Sequence, residues 1–234
     1  MDLSALPTAA ALMPQGSNVA RWRPGLEAAR HSEVFAGGRE ASGAAVALAL
    51  ALGGMRAGDE RAVLWVQDAA SLRLTGRPYR AGLPPALRCR LIHVAVRKPE
   101  DALFALEEGL RCRELACVIG EIAGNPKALN LTASRRLSLA AEKHGVPLFL
   151  VRLDASRDLS SARMRWQVRA AASPAPRWNA AAPGQSAWHA ELFRARGHAP
   201  GEWILTDDEQ GLAARAPDHG DLAGAAGDRS LAAG

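Results

Sequence analysis

Residues 33–45 read Glu33-Val34-Phe35-Ala36-Gly37-Gly38-Arg39-Glu40-Ala41-Ser42-Gly43-Ala44-Ala45, a strand-length apolar run, a glycine-framed loop and the start of an alanine-rich helix. Four residues separate Gly38 from Gly43, the spacing of the phosphate-cradling loop G-x-x-x-x-G-K-[ST]. In a working loop the next two positions hold a lysine that neutralises phosphate charge and a hydroxyl that ligates magnesium. Here they are Ala44 and Ala45, and methyl groups do neither. Taken alone, two glycines at this spacing make no more than a strand-to-helix turn. Their weight comes from lying between the first strand and the first helix of an alternating chain. Gly38, Arg39, Ser42, Gly43, Ala44 and Ala45 are therefore expected to keep the geometry of a nucleotide loop without its chemistry, with no cofactor held and no catalysis.

A second test lies downstream. A nucleotide hydrolase wants an acid directly after an apolar strand to hold magnesium, but Leu115–Ile119 runs into Gly120. Glu121 comes one position late and reads as an ordinary loop acid without a lysine or hydroxyl partner. No G-x-S-x-G elbow is present. Glu107 and Glu108 are adjacent and cannot face each other on a helix. Three cysteines, Cys89, Cys112 and Cys117, form no C-x-x-C pair, and six histidines show no H-x-x-H spacing. This argues against a disulfide framework or a metal site and for reduced, mostly buried thiols.

Outward from the loop, strand-length apolar runs alternate with helical stretches, the pattern of βαβ units and a largely parallel sheet. The predicted strands are Glu33–Ala36, Ala62–Val66, Leu91–Val96, Leu115–Ile119 and Pro147–Arg152. Each is nearly continuous in apolar residues, as a strand covered on both faces should be. Helices are predicted over Gly43–Arg56, Pro99–Arg113 and Thr132–His144, the last with Thr132 as N-cap and Gly145 as its stop. A Gly/Pro/Arg-rich stretch between Asp68 and Arg90 is long for a compact domain, and such loops are often functional. After Arg152, Met164, Trp166 and Val168 alternate with Arg165, Gln167 and Arg169, which predicts a half-exposed antiparallel strand. Trp188–Arg196 and Glu202–Thr206 follow as further strands. Trp166, Trp188 and Trp203 read as packing residues rather than base-stacking platforms. The expected organisation is a lead-in over 1–30, one α/β domain over 31–206 and a flexible tail over 207–234.

Composition sets the outer limits. The 234 residues are 48% hydrophobic but only 5% aromatic, a composition that excludes a disordered chain. The longest strongly apolar run, Ala44–Leu52, is followed by Gly53, Gly54 and Arg56, short of the ~20 residues that cross a bilayer. The first residues lack a basic, then apolar, leader, and the expectation is a cytoplasmic protein. Between Arg135 and Arg169, eight basic residues face three acids, an excess equal to the +5 of the whole chain. Arg135 and Arg136 fall in the first turn of their helix, where the macrodipole disfavours cations. Arg135, Arg136, Arg157, Arg163 and Arg165 are the candidate contacts to DNA or an acidic protein, with salt bridges to nearby acids as the competing reading.

Several stretches together resemble ImuA proteins. They are Leu64-Trp65-Val66-Gln67-Asp68, Gly76-Arg77-Pro78-Tyr79 with Gly82-Leu83, Asp101-Ala102-Leu103 with Glu107-Glu108, Leu131–Glu142, Arg165-Trp166 and Glu191–Gly197. The resemblance covers residues 30–206 and is most specific over Thr132–Glu142. It implies a RecA-like α/β fold of the P-loop NTPase type, with a mostly parallel central sheet and an antiparallel C-terminal strand extension. It also implies expression in the SOS response and a place in the translesion-synthesis mutasome. The implied partners are ImuB and an error-prone replicative-type polymerase, with DNA, RecA or a second copy of the chain as further candidates and no membrane. Two other readings stay open at this point. One is an ATP-dependent RecA-like DNA-binding protein in which Arg39 replaces the missing lysine; the other is a SulA-like cell-division inhibitor.

Overall fold

All five predicted parallel strands lie in one sheet of nine strands. The structure, a computed structural model, describes residues 30–217 apart from 175, 177, 178, 180, 181, 183, 197, 209, 210 and 216. The lead-in, save Arg30, and the tail beyond 217 lie outside the described residues. In chain order the elements are β1 (His31–Ala36), α1 (Ser42–Gly53), β2 (Ala62–Asp68), α2 (Ala69–Thr75), β3 (Leu91–Val96), α3 (Pro99–Arg111), β4 (Leu115–Ala123), α4 (Leu131–His144) and β5 (Leu148–Leu153). Four more strands follow, β6 (Met164–Ala170), β7 (Ala187–Ala195), β8 (Gly201–Asp208) and β9 (Gly211–Arg215).

The spatial order is β3-β2-β4-β5-β1-β6-β7-β8-β9. Strands β1 to β6 pair in parallel and β6 to β9 antiparallel. This α/β architecture, mostly parallel with an antiparallel C-terminal extension, is the expected one and is compatible with a RecA-like fold. Strand β6 is the hinge between the two pairing modes. Predicted as antiparallel and half-exposed, it instead pairs in parallel with β1 on one side and antiparallel with β7 on the other. Interior position explains why its Arg165 is buried. The sheet also continues past residue 206, where the sequence ended the domain, through β8 and β9 to Arg215.

Two apolar layers cover the sheet. Helix α1 packs with Val34, Ile119, Val151 and Trp166 on one face. Helices α3 and α4 cover the other with Leu106, Leu110 and Leu137 against Leu64, Val118 and Leu150. Gly43 sets how closely α1 approaches, because a Cβ there would stand 2.8 Å from both Ala36 Cβ and Val151 Cγ1. Trp166 and Trp188 are buried, and Trp166 tilts against Trp203 with centroids 5.9 Å apart, as packing residues do.

Three local details differ from the sequence reading. The N-cap of α4 is Asn130, whose side chain accepts from Ala133 N at 3.0 Å, and Thr132 lies inside the helix. Strand β4 runs through Gly120 and Glu121 to Ala123. Of the cysteines only Cys117 is buried, its thiol pushed up to about 12 by desolvation, whereas Cys89 and Cys112 are exposed. Among the described residues no helix is long and apolar enough to cross a membrane.

Candidate functional site

The glycine loop sits where β1 delivers the chain to α1, at the carboxyl ends of the parallel strands, which is where open α/β sheets bind ligands. Its amide is already engaged. Gly38 N donates to Asp154 Oδ1 at 2.8 Å, and Asp154 N donates to Ala36 O at 3.0 Å. Asp154 follows β5 with φ at +48°, a left-handed conformation that Asp tolerates better than most side chains. A Cβ on Gly38 would meet Asp154 Oδ2 at 2.6 Å and Leu74 Cδ1 at 3.0 Å. A side chain at 38 would therefore push on a carboxylate of the chain itself. The far side of the loop is tied too, since Glu40 Oε2 accepts from Ala170 N at 2.8 Å.

These residues do not fit a magnesium nucleotide. A phosphate brought to the Gly38 amide would have to displace the Asp154 carboxylate and would then lie beside a negative charge. Ser42 is buried, and Ala44 and Ala45 pack against the core on the α1 face. Arg39 is exposed. The structure thus brings Gly38, Ser42 and Gly43 together as a tight strand-to-helix turn.

Glu121 is not a loop acid. It lies in β4, 2% exposed, directly opposite Gln67 of β2. Its carboxylate accepts from Trp65 Nε1 at 2.7 Å and Thr75 Oγ1 at 2.9 Å, so it has the hydroxyl partner that the sequence did not show. Burial pushes its pKa up, and the bonds from Thr75 and Trp65 pull the other way. Gln67 extends the network, donating to Gly76 O at 2.9 Å and bonding His93 Nε2 through Oε1 at 2.8 Å. Asp68 caps α2, accepting from Ser71 N at 2.7 Å and Ser71 Oγ at 2.6 Å. Trp65 and Gln67 alternate on one face of β2, and that two-residue spacing beside a polar strand end was the available signal. The network satisfies itself and fastens α2 and the turn after it onto β2 and β4.

The five candidate arginines do not form one surface. Arg165 is 3% exposed and its Nε donates to Glu33 Oε2 at 2.7 Å. It cannot meet DNA, because the parallel pairing of β6 with β1 sets Arg165 in register with Glu33. Arg163 donates to Glu142 through Nε and Nη2 at 2.8 and 2.6 Å. Arg136 pairs with Glu107. Arg157 bonds Glu191 at 2.8 Å while stacking over Phe193 at 4.0 Å. Arg135 is exposed and, among the described residues, has no ion-pair partner. The competing reading, salt bridges within the chain, holds for four of the five.

Around Arg165 lies a buried polar cluster that the sequence did not reveal. Ser160 Oγ donates to the second oxygen of Glu33 at 2.7 Å, and Arg152, also 3% exposed, stands 4.0 Å from it. His31 Nδ1 shares a hydrogen bond with Ser138 Oγ at 2.7 Å. Its Nε2 has no partner among the described residues, and burial pushes its pKa down to about 4. A cavity of about 580 Å³ opens at the opposite, amino end of the strands, lined by Leu50, Met55, Phe149, Met164 and Trp166. It is remote from the glycine loop.

A mostly parallel sheet with a glycine turn between its first strand and first helix and an antiparallel extension at its C-terminal end defines an α/β protein compatible with a RecA-like fold. The chain matches no protein-family model. It is 35% identical over 185 residues to Protein ImuA of Caulobacter vibrioides strain NA1000/CB15N, covering 72% of each chain. The same identity and coverage hold for Protein ImuA of Caulobacter vibrioides strain ATCC 19089/CIP 103742/CB 15. The chain belongs to the ImuA family, whose theme is accessory work in translesion synthesis after DNA damage.

Proposed function

We propose that the protein is a non-catalytic RecA-like adaptor of the SOS-induced translesion-synthesis mutasome. It holds ImuB and the error-prone replicative-type polymerase by protein contacts. The observation that carries this reading is the Asp154 carboxylate on the Gly38 amide at 2.8 Å, together with methyl groups at Ala44 and Ala45. A loop that engages an internal carboxylate and presents methyl groups where a lysine and a hydroxyl work lacks the groups that ATP-driven work needs, and an α/β scaffold is what remains to be used.

Titration of the full chain with a fluorescent ATP analogue and magnesium, alongside a turnover assay, tests the non-catalytic part. No saturable binding and no hydrolysis are expected; micromolar binding with turnover overturns it. Affinity purification from cells treated with a DNA-damaging agent tests the partners, and the adaptor reading requires ImuB and the polymerase to be recovered together. Direct DNA contact, if made, centres on Arg135, and Arg135→Ala then weakens salt-sensitive, sequence-independent binding.

A further inference from the structure

We infer that the outer edge of β3 is a docking surface for an extended, acidic segment of a partner protein, which adds to the sheet as a further strand. Strand β3 ends the sheet order and, among the described residues, hydrogen-bonds only β2. Exposed edges are normally blunted by lysine, proline, a bulge or an inward charge. Leu91-Ile92-His93-Val94-Ala95-Val96 carries none of the first two and no acid, and its pairing with β2 is regular from end to end. Ile92 is 48% exposed on this strand and Tyr79, in the preceding connection, 77%.

Charge identifies the occupant. From Ala69 to Lys98 the chain holds seven Arg and Lys and no Asp or Glu. None of the seven is ion-paired among the described residues. The fixed ones spend their donors on carbonyls: Arg88 Nε bonds Leu83 O at 2.9 Å and Arg80 Nε bonds Arg88 O at 3.1 Å. Helix α2 packs against β3, Arg77 is close enough to His93 to help burial hold its pKa down, and Arg97 and Lys98 follow the strand directly. An edge that pairs with no further strand, set among cations without ion pairs, fits strand addition, in which main-chain bonds supply affinity and flanking side chains supply selection. Nucleic acid is the lesser fit, because single-strand binders use successive aromatic platforms and Tyr79 is the one aromatic residue between Ala69 and Lys98. The inference does not depend on the polymerase-assembly reading.

The test uses the full chain and a short fluorescein-labelled peptide alternating Glu with Val, read by fluorescence anisotropy. Saturable binding that weakens with salt is expected. Arg77→Glu/Arg97→Glu should weaken it about tenfold or more with the circular dichroism spectrum unchanged. The same peptide with alternate backbone amides methylated keeps its charge but loses half its strand donors, and should also bind about tenfold more weakly. Equal binding of the methylated peptide overturns strand addition. No binding at all overturns the surface, as when another part of the chain covers the edge. A dT oligonucleotide that displaces the peptide and depends on Tyr79, shown by Tyr79→Ala, reassigns the surface to nucleic acid.

Discussion

The Gly38 amide and the Asp154 carboxylate, 116 residues apart in sequence, meet at 2.8 Å, so that an internal anion engages the first amide of the glycine loop. The bond ties the end of β1 to the end of β5, with Asp154 N returning a bond to Ala36 O. A charge-assisted bond to a backbone amide is stronger than a neutral one. Asp154→Ala should therefore cost about 1–3 kcal/mol in urea unfolding, whereas Asp154→Asn, which still accepts from the amide and tolerates positive φ, should cost less. Gly38→Ala displaces the same carboxylate. The double variant should then lose little more than the worse single one, a non-additivity that marks one shared contact; additive losses would mean that the two residues act separately.

Gly43 acts through packing. Its α-carbon faces Ala36 and Val151 so closely that an added methyl would lie 2.8 Å from each. Gly43→Ala should destabilise by about 1–3 kcal/mol, the usual cost of overpacking. The penalty should shrink in a Val151→Ala background, where one of the two obstructing groups is gone. An equal penalty in both backgrounds would point instead to the turn's backbone.

Much of this was legible in the sequence, for a physical reason. Strands covered on both faces have no polar alternation to blur them, so β2, β4 and β5 were found from apolar runs alone; β3 was found from the same signal although it is half-exposed at the sheet edge. The end of β4 was lost at Gly120, where a glycine reads as a stop, and with it the buried setting of Glu121. Helix α2 was missed because its seven residues run straight on from β2 into an Arg-rich stretch; its Asp68 cap is local, but its end is held by the long-range bond from Thr75 to Glu121. Asp154 and Arg165 were beyond reach. Their roles are set by Gly38 and by Glu33, which lies 132 residues from Arg165, and no periodicity encodes such a pairing.

Arg165 provides a sharp contrast between surface and core. As a DNA contact it could be removed without loss of stability. As the buried partner of Glu33, with side chains 4% and 1% exposed, its truncation leaves a carboxylate stranded. Arg165→Ala should cost about 3–5 kcal/mol, whereas Arg163→Ala, which breaks a half-exposed pair with Glu142, should cost about 0–1 kcal/mol. Chemical denaturation of the two variants decides it, and a similar small loss in both would contradict the buried pair.

His31 should make the fold sensitive to mild acid. Burial holds the imidazole down to about 4 against an ordinary 6.5, with Glu33 and Glu142 opposing that shift and Arg165 adding to it. Between those two values the unfolded chain binds a proton that the folded chain refuses, so this contribution is complete above the unfolded value and is lost as pH falls toward the folded one. The slope reaches about 1.4 kcal/mol per pH unit within the window. Glu121 works in the opposite sense, because its raised pKa favours the folded state at low pH and withdraws that support as pH rises. Asp59, held down to about 2 chiefly by its hydrogen bonds from Arg61, responds only at lower pH. The difference between the native chain and His31→Gln isolates the histidine: in urea unfolding from pH 7 to pH 5, the variant should lose distinctly less stability than the native chain. Parallel losses would mean that His31 already carries its proton in the folded state.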